Sequence, residues 1–253
     1  MIALVILFLF LAGLVVGSFL NVCIHRLPRR ESVVRPASRC PDCGARLKAA
    51  DLVPLLSWVA LRGRCRYCGL PVSPRYPLVE LLTGLAFVGA YHALGPDPLL
   101  LAKTLFFVSL LIVATFTDLE HMLIPNRLIL AGLAGGAVFA LLVPQPGLVS
   151  ALAGAAACGG LLLLLAVASR GGMGGGDVKL AAVIGLFLGL PLGLLALFVA
   201  SLLGSVAGLA LRCGGALGRG EPIPFGPFLA LGAAVALFWG RAVLDWYLAG
   251  FFG

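Results

Sequence analysis

Gly171-Gly172-Met173-Gly174-Gly175-Gly176-Asp177-Val178-Lys179-Leu180 interrupts a mostly oily chain with five glycines in six residues and closes on a carboxylate. The apolar run that follows, 178–211, is too long for a single crossing of the bilayer's hydrocarbon, which takes about 20 helical residues. It contains Pro191 and Gly193, and both residue types break helices. The run therefore reads as two helices, 178–190 and 192–211; treated as one, it would give a chain of seven spans rather than eight. Glycine leaves the backbone open to close approach by another chain, so Asp177 can be pressed against a substrate. The plainer reading makes Asp177 the N-cap of the helix after it.

Working outward, other apolar stretches fall near 1–22, 77–94, 99–117, 127–143, 149–168 and 225–248. The 253-residue chain is 61% hydrophobic and 11% charged, and its mean hydropathy is +1.12. Soluble domains carry about 25% charged residues. The expected fold is an all-α polytopic membrane protein of about eight transmembrane helices, because lipid cannot satisfy open backbone groups and no strand-like alternation appears. The first helix lacks a preceding basic region and a small-x-small cleavage site, so it is expected to stay attached.

Under the eight-span reading, the loops 21–76, 118–127, 169–180 and 212–224 carry 16 of the 18 Lys and Arg residues; only Lys103 and Arg241 lie elsewhere. The positive-inside rule makes that side cytoplasmic. The net charge of +8 is thus explained by anionic lipid headgroups, and nucleic-acid binding is not expected.

The longest polar region holds Cys40-Pro41-Asp42-Cys43-Gly44 and Cys65-Arg66-Tyr67-Cys68-Gly69. Two C-x-x-C-G knuckles predict one tetrahedral zinc site on Cys40, Cys43, Cys65 and Cys68, closed to water and therefore structural. A reducing cytoplasm argues against disulfides. The expected division is a first transmembrane helix over 1–24, a zinc module over 25–76 and a seven-helix membrane domain over 77–253. Cys23, Cys158 and Cys213 read as small apolar fillers. Glu80 lies about one turn inside the next helix, where a carboxylate needs a partner or a task; Arg75 or a cation of the zinc module would serve as partner.

A second carboxylate, Asp118, ends the third span in Thr117-Asp118-Leu119-Glu120-His121. Two spans separate it from Asp177 and two from the zinc module, so an even count places all three at one membrane face. Asp118, Glu120 and His121 as metal ligands is the rival arrangement. Neighbours at these spacings on a helix do not converge on one point, so Glu120 and His121 are expected to meet headgroups and water.

Taken together, Gly17 to Pro28, the paired knuckles, Arg75 to Gly84, Thr117-Asp118 through Ile124-Pro125-Asn126, Gly174 to Leu180 and Pro224-Phe225-Gly226-Pro227-Phe228 resemble the bacterial type IV prepilin peptidases, intramembrane aspartic proteases of the GxGD type. The resemblance implies that Asp118 and Asp177 are a catalytic pair in the inner membrane, cutting the basic leader from type IV prepilins or type II secretion pseudopilins at the cytoplasmic face. It further implies N-methylation of the new N-terminus with S-adenosylmethionine. Gly174, Gly175, Gly176 and Lys179 then form a loop that receives the peptide, while Glu80 and Arg75 mark a face for recognition or methyl transfer. No soluble-type nucleotide fingerprint accompanies them. A membrane transporter with a discontinuous helix and a non-enzymatic zinc-bearing scaffold are the competing classes. The sequence leaves open the oligomeric state and which aspartate is the base.

Overall fold

The computed structural model describes residues 2–169, 172–215, 218 and 221–252. Among them are eight α-helices: α1 (Ile2–Arg26), α2 (Leu56–Ala60), α3 (Arg75–Leu94), α4 (Pro98–His121), α5 (Asn126–Leu142), α6 (Leu148–Ala168), α7 (Gly175–Cys213) and α8 (Gly226–Phe252), with one 3-10 turn at Ala49–Asp51. No β-strand occurs among the described residues. Six helices, α1, α3, α4, α6, α7 and α8, are long and apolar enough to cross a membrane, and α5 is a shorter apolar helix. Among the described residues, each apolar stretch expected from the sequence coincides with a helix or a half of one.

The chain divides into two compact units, Met1–Val113 and Ala114–Gly253. In the first, α1 lies against α3 at small residues. A Cβ on Gly13 would sit 2.7 Å from the Gly84 Cα, and one on Gly17 would sit 2.7 Å from the Glu80 Cα. Gly13 and Gly17 are four residues apart and so share one helix face, the spacing that lets backbones approach closely in lipid. Leu9, Leu14, Leu20 and Ile24 are buried, while Leu4, Phe8, Leu11 and Val15 face outward.

In the second unit, α7 packs on α5, α6 and α8, again through glycine. A Cβ on Gly185 would lie 2.1 Å from the Gly154 carbonyl oxygen, one on Gly232 would lie 2.2 Å from the Ala196 carbonyl oxygen, and one on Gly136 would meet Leu186 at 2.6 Å. The small residues of 131–136 and 151–160 thus serve helix packing. The break expected near Pro191 falls two residues earlier. Gly189 leaves helical geometry at φ 78°, ψ 179°, a conformation open essentially to glycine alone. The Ser150 hydroxyl accepts the Leu190 N–H at 3.2 Å, so it caps the second half of α7 from outside. Pro191 then occupies that half's first turn, where its missing N–H costs nothing. Counting the two halves of α7 separately, and α5 with the long helices, gives the eight segments.

One cysteine departs from expectation. Cys23 and Cys158 are buried as fillers, but Cys213 is exposed, because it is the last residue of α7.

Candidate functional site

Asp118 and Asp177 come together within the second unit. Asp118 lies in the last turn of α4: the Met122 N–H reaches the Asp118 carbonyl at 2.8 Å, and Met122 takes a positive φ of 48° that ends the helix. Ile124 and Pro125 then lead into α5, with Pro125 extended at its N-cap. Asp118 is 5% exposed and Asp177 9% exposed. The charge of Asp118 acts on the Asp177 carboxyl, so the two groups lie within electrostatic reach.

Asp177 is not the helix cap. Gly174 holds that position with extended geometry, and α7 starts at Gly175, which makes Asp177 its third residue. The difference has a steric reason: a Cβ on Gly174 would lie 3.1 Å from the Asp177 Oδ2, and one on Gly176 would lie 3.1 Å from the Ile124 Cβ. Glycine at 174 and 176 lets the carboxyl and Ile124 approach the first turn. Gly175 has open space where a Cβ would be. Gly171 lies outside the described residues. The Lys179 ammonium donates to the Asn126 Oδ1 at 2.9 Å and ties α7 to the start of α5.

A third helix contributes to the pair. The Gly226 N–H donates to the Asp118 Oδ2 at 2.8 Å, buried, and Gly226 is the first residue of α8. Helix N-termini carry unpaired N–H groups and positive potential, which suit a carboxylate. A Cβ on Gly226 would lie 2.8 Å from the same Oδ2. The Phe-Gly-Pro sequence at 225–227 is visible in the chain, but its task depends on a contact more than 100 residues away in sequence, which no local pattern reveals. Glu120 and His121 are exposed. Among the described residues, the group of metal-ligating side chains close enough to share an ion is the cysteine cluster, not Asp118, Glu120 and His121.

That cluster lies in the first unit. The ligand atoms of Cys40, Cys43, Cys65 and Cys68 all lie within 4.8 Å of one another, and the Cys40 and Cys68 sulfurs are 4.0 Å apart. A tetrahedral ion with bonds of about 2.3 Å to sulfur requires sulfurs about 3.8 Å apart, so the four thiols fit one metal. The two knuckles repeat each other. Gly44 N–H bonds to Cys40 O and Gly69 N–H to Cys65 O, while Cys40 N–H reaches Ala45 O and Cys65 N–H reaches Leu70 O. Gly44 and Gly69 both take positive φ, 69° and 72°, as each turn requires. Backbone N–H groups of Cys68 and Tyr67 draw the Cys65 thiol down to about 7, toward the thiolate that a metal binds. Asp51 braces the second knuckle, accepting from Arg66 at 2.6 Å and from the Tyr67 hydroxyl at 3.0 Å.

Glu80 is 7% exposed. Its Oε2 accepts the Leu55 N–H at 2.9 Å, and the Ser18 hydroxyl also bonds to its carboxylate. A backbone amide of the cysteine-bearing loop thus supplies a partner where a side-chain cation was expected. The Arg75 guanidinium stacks on the Tyr76 ring at 4.8 Å.

Comparison with known proteins adds the following. The family model for the Bacterial Peptidase A24 N-terminal domain matches residues 11–94, and that for the Type IV leader peptidase family matches residues 105–209. A Prepilin leader peptidase/N-methyltransferase of Aeromonas hydrophila is 40% identical over 273 residues, covering 96% of this chain and 93% of its own. The chain belongs to the type IV leader peptidase family. A relative of the same name from Bacillus subtilis (strain 168) is 38% identical, with 95% and 96% covered. Another from Myxococcus xanthus (strain DK1622) is 43% identical over 85% of this chain and 65% of its own. No solved structure matches. Within this leader peptidase, the N-terminal match contains the cysteine cluster and Glu80, and the second match contains Asp118 and Asp177.

Proposed function

We propose that this multi-pass bacterial membrane protein removes the basic leader from prepilins or pseudopilins with Asp118 and Asp177, then methylates the new N-terminus with S-adenosylmethionine. The observation that carries the reading is the pairing of two buried carboxylates from separate helices beside a glycine-rich first turn. Family membership favours this peptidase over the transporter and the scaffold.

Two neighbouring carboxyls cannot both ionise freely, so they share a proton. One takes a proton from water as the water oxygen attacks the scissile carbonyl carbon. The other gives its proton to the carbonyl oxygen, and collapse breaks the C–N bond as the departing amine is protonated. An extended peptide along Gly172 to Gly175 would meet the open side of Gly175, and the Lys179–Asn126 bond would hold the first turn of α7 in place. Gly226 fixes the orientation of Asp118.

The four cysteines would hold a structural zinc, with no position left for water. S-adenosylmethionine, when bound, supplies an electrophilic methyl group. The burial of Glu80 suits methyl transfer better than capture of a leader from solution, and Arg75 lies at the same helix end. The active site is assigned to the cytoplasmic face of the inner membrane by the distribution of Lys and Arg, and the working parts to 1–24, 25–76 and 77–253.

The test is purified protein in liposomes with a prepilin-like substrate and S-adenosylmethionine, the product's N-terminus being read by mass spectrometry. A leader cut off and one added methyl group are expected. An uncut substrate across several prepilins would overturn the reading.

A further inference from the structure

Part of the cysteine-bearing loop is apolar on the side that faces outward. Between the cations Lys48 and Arg62, residues 49–61 carry a single charge, that of Asp51, and its carboxylate is turned to Arg66 and the Tyr67 hydroxyl. Leu56, Val59 and Ala60 stand three and four residues apart on α2 and so share one face. Leu56 is 69% and Val59 65% exposed, and Ala60 and the preceding Val53 are exposed as well. The other face carries Trp58, whose indole donates to Val72 O at 3.1 Å. A helix lying on a water-soluble body keeps its polar side outward. In α2 that order is reversed.

The register of α1 against α3 indicates where this face lies. Glu80 is level with Gly17, since a Cβ on Gly17 would sit 2.7 Å from the Glu80 Cα. From Gly17 the apolar part of α1 runs on to Ile24 before His25 and Arg26 end the helix, a further rise of about 10 Å. On α3 the exposed Leu78 lies nearer the loop than Glu80 does. Glu80 therefore sits below the level of the headgroups, inside the apolar zone. Its Oε2 accepts the Leu55 N–H at 2.9 Å, and Leu55 is the residue from which α2 starts. One side chain and one hydrogen bond thus separate a submerged helix position from α2, which holds the outward face of α2 at the boundary between headgroups and acyl chains.

We propose that Val53, Leu56, Val59 and Ala60 insert into the leaflet on the side of the cysteine-bearing loop, with Lys48 and Arg62 on its anionic headgroups, so that the membrane itself moors this loop. Interfacial helices bury their apolar faces about 5–10 Å into this boundary. Lys48 and Arg62 are exposed, and their long stems let the charges rise to the headgroups while the neighbouring side chains stay among the acyl chains. A soluble protein would have to reach the same face through the headgroups, so lipid is the occupant that the register selects. The loop has little core of its own, and the bilayer completes it from outside.

The test uses the full-length, zinc-loaded protein in phosphatidylcholine vesicles with and without phosphatidylglycerol. A fluorescent amino acid is placed at Leu56 and, separately, at Val59, and quenching by aqueous iodide is compared with quenching by lipids spin-labelled at two depths. At both positions a blue-shifted probe is expected, quenched by lipid rather than by iodide, about 5–10 Å below the headgroups. Lys48→Gln combined with Arg62→Gln is expected to raise the probe toward the surface in the phosphatidylglycerol vesicles and to leave it unmoved in phosphatidylcholine alone. Zinc content and melting temperature report folding, and both probe positions are exposed. Quenching by iodide alone would overturn the proposal. Resistance to both quenchers would overturn it too, since protein would then cover the face. A wild-type depth indifferent to phosphatidylglycerol would overturn the assignment of Lys48 and Arg62 to the headgroups.

Discussion

The two units solve one problem by opposite means. Both must hold polar chemistry in an apolar chain, yet the first fixes its polar groups by adding bonds and the second by subtracting side chains. In the first unit four thiols converge, Asp51 ties Arg66 and Tyr67 together, and Glu80 grips the Leu55 N–H. In the second, Asp118 and Asp177 are positioned where glycines let helices touch: Gly226 on Asp118, Gly174 beside Asp177, and Gly185 against Gly154. The cysteine loop of the first unit should therefore be sensitive to removal of a ligand, and the aspartate-bearing helix ends of the second to addition of a methyl group.

The largest effect tests the second unit's chemistry alone. Asp118→Asn and Asp177→Asn are each expected to lower the cleavage rate about 10³-fold or more, since members of a catalytic unit fail singly, with melting temperature near that of the wild type. Cleavage surviving in either variant would break the pair. The next effect tests the means. Gly226→Ala forces a Cβ to 2.8 Å from the Asp118 Oδ2, and a small misplacement of a reacting group can cost about 100-fold. Gly160→Ala on α6, where the added Cβ also meets open space, provides the contrast within the same unit. Equal losses of kcat in the two would refute the packing argument. A loss confined to Gly226→Ala would sharpen it.

The same contrast explains what the chain revealed before folding. Apolar length and charge placement report each segment's own environment, so the eight helical segments and the paired knuckles could be read locally. The Cys-x-x-Cys-Gly turn is a local structure, and both copies fold alike. Contacts between glycines of distant helices leave no comparable trace. Gly226 was visible as part of a motif without a task, because its partner is Asp118. The break in α7 was expected near Pro191, the stronger helix breaker by propensity, but Ser150 on α6 accepts the Leu190 N–H and moves it to Gly189. Asp177 was readable as a cap by local preference; Gly174 holds that position, and the Asp177 carboxylate three residues on reaches back to the Gly174 backbone N–H. Asn21 is a buried amide with one unanswered oxygen, which no local pattern reveals.

Metal removal probes the first unit's dependence on added bonds. A structural zinc typically contributes its binding free energy to folding, and the loop from Arg30 to Ser73 has little other core. Chelation, or Cys40→Ser, is expected to raise the rate of limited trypsin cleavage within this loop about tenfold, with one zinc per chain lost by elemental analysis. Unchanged trypsin resistance in the metal-free protein would show that the hydrogen bonds of the two knuckles suffice.

The smallest expected effect separates the ionic brace from the metal. Arg66 first, with the Lys48 N–H, holds the Asp51 carboxyl below its ordinary range, the Tyr67 hydroxyl adding to this. A carboxyl with a lowered folded value contributes stability above its unfolded value, about 3.9, and that contribution is lost as pH falls through the folded value. Thiolates also protonate in acid and release metal, so the informative quantity is the difference between wild type and Asp51→Asn, measured as trypsin resistance of the loop. That difference should be constant from pH 7 down to about 5, shrink below about 4 and vanish in stronger acid. Added salt should reduce it, because the Arg66 side chain is 50% exposed and open to screening. A difference that persisted below the folded value, or ignored salt, would mean that Asp51 acts by shape and neutral hydrogen bonding, leaving the metal as the one electrostatic support of the second knuckle.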